Sequence, residues 1–220
     1  MAVRGVLFDV DGTLVDSGYI HAVCWWQALR QQGHDISTAT IHRSIGMGSD
    51  RLVPHLLGSA DDEDITALSA AHDTLYSTYW SRLRPLPGAA DLVRRAHDAG
   101  LITILVSSAG AIELEVLRRV LDVDDVLDDS TSADDGDRSK PDPDLVEVGL
   151  RKGDLTPDEA VFIGDAVWDV EASARAGVRC LAMECGGTSA AELRAAGAHT
   201  TYRDPADLLD NWAASLLHQD

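Results

Sequence analysis

Lysine is nearly missing from this sequence: Lys140 and Lys152 stand against sixteen arginines. Bases of both kinds number 18 and face 37 aspartates and glutamates, a formal net charge of -19. A surface so short of positive charge excludes a nucleic-acid backbone or an anionic membrane as a partner held by charge. Cysteine is scarce too, with Cys24, Cys180 and Cys185 making an odd count without metal-finger spacing. They read as reduced, structural thiols. No apolar run approaches the ~18 residues needed to cross a bilayer. Met-Ala-Val-Arg-Gly leads into the first apolar stretch without a signal-peptide core, so the expectation is a cytoplasmic protein. The acid-rich, lysine-poor composition is compatible with a high-salt cytoplasm, where dense carboxylates stay screened, and equally with codon bias. What is present is 45% hydrophobic content over 220 residues, enough for one sizeable core and an insertion.

The chain is organised around Val6-Leu7-Phe8-Asp9-Val10-Asp11-Gly12-Thr13-Leu14-Val15-Asp16-Ser17. Val6 to Phe8 reads as a buried strand that delivers Asp9 and Asp11 at its C-terminal end before Gly12 breaks it. On an extended chain residues i and i+2 point the same way, so two carboxylates crowd one small volume. That crowding wants a cation, although Asp and Gly are also ordinary turn residues.

A helical pattern follows from 17 to about 32, with Gly33 as its stop signal. Further helical pieces lie near 38–44, 50–57 and 64–83, with no convincing strand among them. Residues 18–84 therefore read as an all-helical insertion with its own fold, and Pro85-Leu86-Pro87-Gly88 as the return linker. Residues 1–17 and 85–220 form the main domain. After the return, strands at 101–106, 160–163 and 178–183 alternate with helices at 89–99, 111–121, 144–152 and 167–176. A short strand around Val126-Leu127 and an edge strand at 200–202 complete the pattern. Alternating β and α elements predict an α/β fold: a doubly wound, Rossmann-like parallel sheet with helices on both faces, and ligands bound outside the strand C-termini.

Polar residues at those strand ends are the site candidates. Ser107-Ser108-Ala109-Gly110 follows the second strand, where free helix amides could hold an anion or a serine could simply cap the helix. Gly164-Asp165-Ala166-Val167-Trp168-Asp169 follows a later strand and sets two acids at i and i+4, one turn of helix apart. Between them Lys140, fixed before Pro141 and close to a helix begun by Pro143, is half of the chain's lysine.

Taken together, Asp9-Val10-Asp11-Gly12-Thr13, Ser107, Lys140-Pro141-Asp142-Pro143 and Gly164-Asp165 with Asp169 resemble the four motifs of the haloacid dehalogenase-like hydrolase superfamily. The helical insertion is similar to that of its subfamily with an α-helical cap. The resemblance implies a phosphatase acting on a small-molecule phosphate monoester through an aspartyl-phosphate. Asp9 would be the nucleophile and Asp11 the general acid and base. Mg²⁺ would be held by Asp9, the Asp11 carbonyl and Asp165, with Asp169 binding through water or orienting the other ligands. Ser107 and Lys140 would hold the phosphate oxygens.

The superfamily hosts several chemistries, and particular residues separate them. Asp11 argues against dehalogenation, because dehalogenases lack the second acid. The lysine-free insertion argues against phosphonatases, which use a lysine from the cap. A β-phosphoglucomutase-like sugar phosphomutase is the alternative, since His21 lies twelve residues after Asp9 as in those enzymes. Asp169 weighs against it. A non-catalytic phospho-acceptor or ligand-binding protein fits less well, because signalling receivers carry no helical insertion and no motif residue is missing. Gly12, Ser108, His21, Gly48 and Arg51 are the candidates for contacting substrate, with Gly46-Met47-Gly48-Ser49-Asp50-Arg51 as the insertion's substrate-facing loop. Which ester is bound, and the oligomeric state, cannot be read from the residues.

Overall fold

The computed structural model describes residues 2–218. Six strands form one parallel sheet in the order β3-β2-β1-β4-β5-β6: β1 (Gly5–Phe8), β2 (Ile102–Val106), β3 (Asp129–Thr131), β4 (Ala160–Gly164), β5 (Arg179–Met183) and β6 (Thr200–Tyr202). The two innermost strands, β1 and β4, are apolar throughout, as suits a sheet covered on both faces. Successive side chains of β1 go to opposite sides, Val6 and Phe8 into one cluster and Leu7 into another. The first cluster is closed by α5 (Ala89–Asp98), α6 (Ala111–Leu121) and α10 (Pro205–Asp210), through Leu92, Leu117 and Leu208. The second is closed by α7 (Asp144–Lys152), α8 (Val167–Arg175) and α9 (Ala190–Ala196), through Leu145, Val170 and Leu193. Val3 and Leu208 belong to the first cluster, and Leu209 and Leu216 pack against it, so they are core residues. The result is the doubly wound, Rossmann-like sheet expected from the alternation.

The third strand differs from the expectation. It lies at Asp129–Thr131, starting two residues beyond the apolar pair Val126-Leu127. Those two side chains pack on the core from a loop, while the Thr103 hydroxyl donates to the Val126 carbonyl (2.5 Å) and the Thr103 amide to the Asp128 carboxylate (2.8 Å). The Asp128 amide donates to the Thr103 carbonyl (3.0 Å), and the ladder with β2 runs from Ile104 and Asp129 onwards.

Between β1 and α5 the chain forms α1 (Gly18–Gln31), α2 (Thr38–His42), α3 (Ser49–Leu57) and α4 (Asp62–Ser77). Their apolar faces make a third cluster of their own, with Leu29, Ile41, Leu52 and Leu68 fully buried. The two connections to the sheet run side by side: the Asp16 amide bonds the Arg84 carbonyl (3.0 Å) and the Leu86 amide the Leu14 carbonyl (2.8 Å). Among the described residues no helix is long and apolar enough to cross a membrane.

Because this third cluster is separate, Leu68→Ala should cost about 2–5 kcal/mol, the range for deleting a buried leucine side chain. Hydrogen exchange should show the loss in α1–α4 while β1 and β4 keep their protection. Equal loss across the sheet would mean that the two units unfold as one.

Candidate active site

The site forms where β1 and β4 end. The Asp9 amide still bonds the Ile163 carbonyl (2.8 Å), so the Asp9 side chain is fixed at the sheet's C-terminal edge. The chain then turns sharply, and the Leu14 and Val15 amides both return to the Val10 carbonyl. Gly12 makes that turn with φ at 85°, and a Cβ there would lie 2.7 Å from the Asp165 carboxylate. Glycine is required on both counts. Its place is therefore under Asp165, not in the wall of the cleft, which corrects the expectation that it contacts substrate.

Asp9, Asp165 and Asp169 converge, with one oxygen from each lying within 4.8 Å of the others. Lys140 is completely buried beside them. Its ammonium sits 2.5 Å from Asp9 Oδ1 and 2.8 Å from Asp169 Oδ1, and donates to the Val106 carbonyl at 3.2 Å. Burial opposes that charge, but Asp169 and Asp9 outweigh it and hold the ammonium above its usual range. The other oxygen of Asp169 accepts from the Asp165 and Ala166 amides (3.1 and 3.0 Å) at the start of α8. The helix thus starts one residue later than Ala166, which is its cap residue, with Asp169 completing the first turn. Both oxygens of Asp169 are committed, so it positions Asp165 and Lys140.

Burial, with the neighbouring Asp169 charge, pushes Asp9 up to about 7. Burial with the Asp9 and Asp169 charges likewise holds Asp165 well above the carboxylate range. The Thr13 hydroxyl lies 2.8 Å from both Asp9 Oδ2 and Asp165 Oδ1, yet it has one hydrogen and serves one of them at a time. Three acids facing one ammonium leave negative charge that only a further cation or protons can balance. The donors are all hard oxygens, which fits magnesium.

Asp11 faces the other way. Its Oδ1 accepts from the Ser17 hydroxyl (2.6 Å) and lies 3.1 Å from His21 Nε2. His21 Nδ1 meets His72 Nε2 at 3.1 Å, and His72 Nδ1 meets the Asp73 carboxylate at 2.9 Å. The assignment that satisfies every atom has His21 doubly protonated, donating to Asp11 and to neutral His72, which donates to Asp73. Charge agrees with it. Burial works against ionising either partner, but His21 and the Ser17 bond hold Asp11 below its ordinary value, and Asp11 holds His21 above its own. Burial pushes His72 down to about 4. The His21 ring stacks on Tyr76, and His72 on Trp25, with centroids 3.9 and 4.4 Å apart. Glu113, from the first turn of α6, brings Oε1 to 3.4 Å from His21 Nε2, and burial pushes its carboxyl up to about 8.

These groups border a cleft of about 630 Å³ between the helical block and the sheet. Of the residues singled out from sequence, Asp9, Asp11, His21, Gly48 and Ser108 line it, with Lys140, Asp165 and Asp169 gathered around Asp9. Ser107 is buried just after β2, where its hydroxyl accepts from the Ala109 amide (3.0 Å) and keeps its own hydrogen to donate. The α6 cap is Gly110, so neither serine serves as helix cap. Gly48 packs so closely on Ser139 that a Cβ would lie 2.7 Å from that side chain, and its amide donates to the Ser139 hydroxyl at 2.9 Å. Arg51 departs from expectation: it pairs with Asp142 and lines a separate surface hollow with His55 and Trp168. An arginine neutralised by Asp142 straps the helical block to the sheet and is not free for substrate. His72, Glu113, Thr13 and Ser139 were not singled out from sequence. Only the His72 to Tyr76 spacing, one helical turn, hints that two such rings share a face.

The haloacid dehalogenase-like hydrolase family model matches residues 3–177. The chain is 30% identical to phosphoglycolate phosphatase of Yersinia pestis, over 84% of this chain and 82% of that one. It is 29% identical to hexitol phosphatase A of Escherichia coli, over 83% and 84%. The crystal structure of a hydrolase from Pseudomonas syringae superposes with a TM-score of 0.92 at 31% identity, covering 96% of this chain and 98% of that one.

The two buried histidines respond oppositely to acid. The contribution of His21, whose value is raised, is fully present at low pH and fades as pH rises through its folded value. His72 is depressed from 6.5 to about 4, so its contribution is present above 6.5 and is lost as pH falls towards 4, up to about 3 kcal/mol. Thermal unfolding of His72→Gln beside the wild type should therefore show a stability gap that narrows from pH 7 to pH 4. A gap constant with pH would mean that His72 titrates as it does in the unfolded chain.

Proposed function

The chain belongs to the haloacid dehalogenase-like hydrolases and is a phosphatase, and on that premise we propose that it hydrolyses a small phosphate monoester in two displacements on Asp9, with magnesium as cofactor. The observation that carries this reading is the buried Lys140 ammonium 2.5 Å from Asp9 Oδ1. It opposes the burial that favours the acid form of Asp9, and so favours the carboxylate that serves as nucleophile. Residues 18–84 act as a cap over a catalytic core made of 1–17 and 85–220.

In the first displacement an Asp9 oxygen attacks phosphorus, the bond to the ester oxygen breaks, and Asp11 supplies the proton that the leaving alkoxide takes up. The proton reaches Asp11 from His21, whose Nε2 is 3.1 Å away. In the second, water attacks the aspartyl-phosphate, Asp11 removes its proton, and Asp9 is released with inorganic phosphate. Ser107 and Lys140 hold the non-bridging oxygens, and Asp169 keeps Lys140 and Asp165 in place. Magnesium held by Asp9, the Asp11 backbone carbonyl and Asp165 would add positive charge against the phosphoryl oxygens. The docked cap excludes bulk water.

One observation favours a second reading, a sugar phosphomutase: His21 joins the cap's first helix to Asp11, so acid-base chemistry is tied to what the cap encloses. The experiment that separates the two is phosphate release from a panel of small esters, with Mg²⁺ and with a chelator. Metal-dependent release is expected. Asp9→Asn should lose at least about 10³-fold and Asp11→Asn about 10²–10⁴-fold, with the fold retained. Release that persists in Asp9→Asn would refute the nucleophile. Absence of release, with a bisphosphate-primed conversion of a sugar 1-phosphate to its 6-phosphate, would favour the mutase.

A further inference from the structure

The cleft carries a second set of polar groups that the two displacements do not use. Glu113 Oε1 is buried in its wall without a hydrogen-bond partner. The Trp80 indole N–H borders the same cleft and is also buried and unpaired. A buried acceptor and a buried donor left unmade each cost on the order of 1–3 kcal/mol, so such atoms in a ligand cleft mark where a ligand's polar groups belong. Glu113 also stands beside the proton that serves the leaving oxygen, 3.4 Å from His21 Nε2. Its place is therefore next to the alcohol half of the ester, away from the phosphate end at Lys140.

The charge of the cleft is one-sided. Asp50, Asp73, Glu113, Asp134 and Asp137 are among the residues that line it, and Arg138 is the arginine among them. Arg138 is 64% exposed and lies 3.9 Å from Asp142. Arg51 is taken up by Asp142, and Lys140 by Asp9 and Asp169. A carboxylate on the leaving group would enter acidic surroundings without a buried cation to meet it, whereas a hydroxyl both donates and accepts.

Resting on the phosphatase reading above, we propose that Glu113 is the residue that selects the leaving group, accepting a hydrogen bond from a hydroxyl of a neutral polyhydroxy alcohol while the Trp80 N–H donates to a hydroxyl oxygen. The preferred substrates are phosphates of uncharged polyols or sugars, and esters whose alcohol carries a carboxylate are disfavoured. Glu113 acts on selectivity by contact with the alcohol and takes no part in the bond changes at phosphorus.

The test compares kcat/KM for sorbitol 6-phosphate, phosphoglycolate and p-nitrophenyl phosphate in the wild type, Glu113→Gln and Trp80→Phe. The wild type should prefer sorbitol 6-phosphate to phosphoglycolate by at least tenfold. Glu113→Gln should lower the ratio of sorbitol 6-phosphate to p-nitrophenyl phosphate by about two- to tenfold, as for a hydrogen bond between neutral groups. Trp80→Phe should lower the same ratio by a similar factor. Ratios that stay at the wild-type value while all three rates fall together would overturn the proposal and make Glu113 a structural support of His21. Equal wild-type use of phosphoglycolate would also overturn it. No release from any of the three esters would instead sink the phosphatase reading, and the selectivity proposal with it.

Discussion

A buried ammonium held between two carboxylates is the constraint on which the catalytic end of this molecule depends. Lys140 reaches Asp9 on β1 and Asp169 on α8 from the segment before α7, so one side chain joins three parts of the chain. The desolvation cost of such a group is several kcal/mol, and it is offset only when every donor finds an acceptor. Here the ammonium donates to Asp9 and to the Val106 carbonyl and faces Asp169 Oδ1 at 2.8 Å as an ion pair. The Asp169 oxygen not facing Lys140 accepts two backbone amides, which fixes the first turn of α8 and with it Asp165. The metal-binding potential of the cluster and the nucleophilic state of Asp9 are thus consequences of one charge balance. A net charge of -19 is no obstacle to an anionic substrate when the site carries its own buried cation.

Much of this was legible in the sequence because it is encoded locally. The apolar run before Asp9 specifies a strand, the two-residue spacing brings two acids to one end, and the alternation after Pro87 specifies a parallel sheet. The scarcity of lysine drew attention to Lys140, whereas its complete burial could not be inferred from its neighbours Ser139 and Pro141, which are as common on surfaces. Local reasoning failed where partners are distant. Arg51 looked free beside a glycine loop, and Asp142, which neutralises it, comes from 91 positions further along the chain. The strand expected at Val126-Leu127 lies further on, because the Thr103 hydroxyl takes the Val126 carbonyl and the Thr103 amide the Asp128 side chain, bonds that no local pattern announces. Glu113 carries no local signal and His72 only the one-turn spacing to Tyr76, because each finds its partner, His21, on another helix.

The docking of the cap has two unlike halves. Near the connections, Tyr76 and Cys24 belong to the same apolar cluster as Phe8 and Leu105, so this edge of the cap is continuous with the core of the sheet. At the far edge the contacts are polar and ionic: the Ser108 hydroxyl on the Gly46 carbonyl (3.3 Å), the Trp168 indole on the Arg43 carbonyl (2.9 Å), His42 Nε2 with the Gly186 carbonyl (2.9 Å), the bonds of Gly48 and Asp50 to Ser139, and the Arg43–Glu192 and Arg51–Asp142 ion pairs. A neutral hydrogen bond exchanged for one with water contributes only about 0.5–1.5 kcal/mol net, while burial of an aromatic side chain contributes more. The far edge is thus held by polar and ionic contacts and the near edge by apolar burial, with the paired segments Leu14–Leu86 and Asp16–Arg84 as the connections between the two units.

Asp11, the proposed acid and base, sits on the side of these connections, and this has a chemical consequence. His21 and His72 belong to α1 and α4, while Asp11 belongs to the turn after β1. The bonds from Asp73 to His72 and from His72 to His21 therefore lie within the helical block, and the 3.1 Å link from His21 Nε2 to Asp11 is the one that crosses to the sheet. The acceptor for the second nitrogen of His21 is thus supplied by its own unit, which favours the doubly protonated imidazole independently of Asp11. Docking of the helical block brings that imidazole to Asp11, so enclosure of an ester and supply of its proton rest on the same contact.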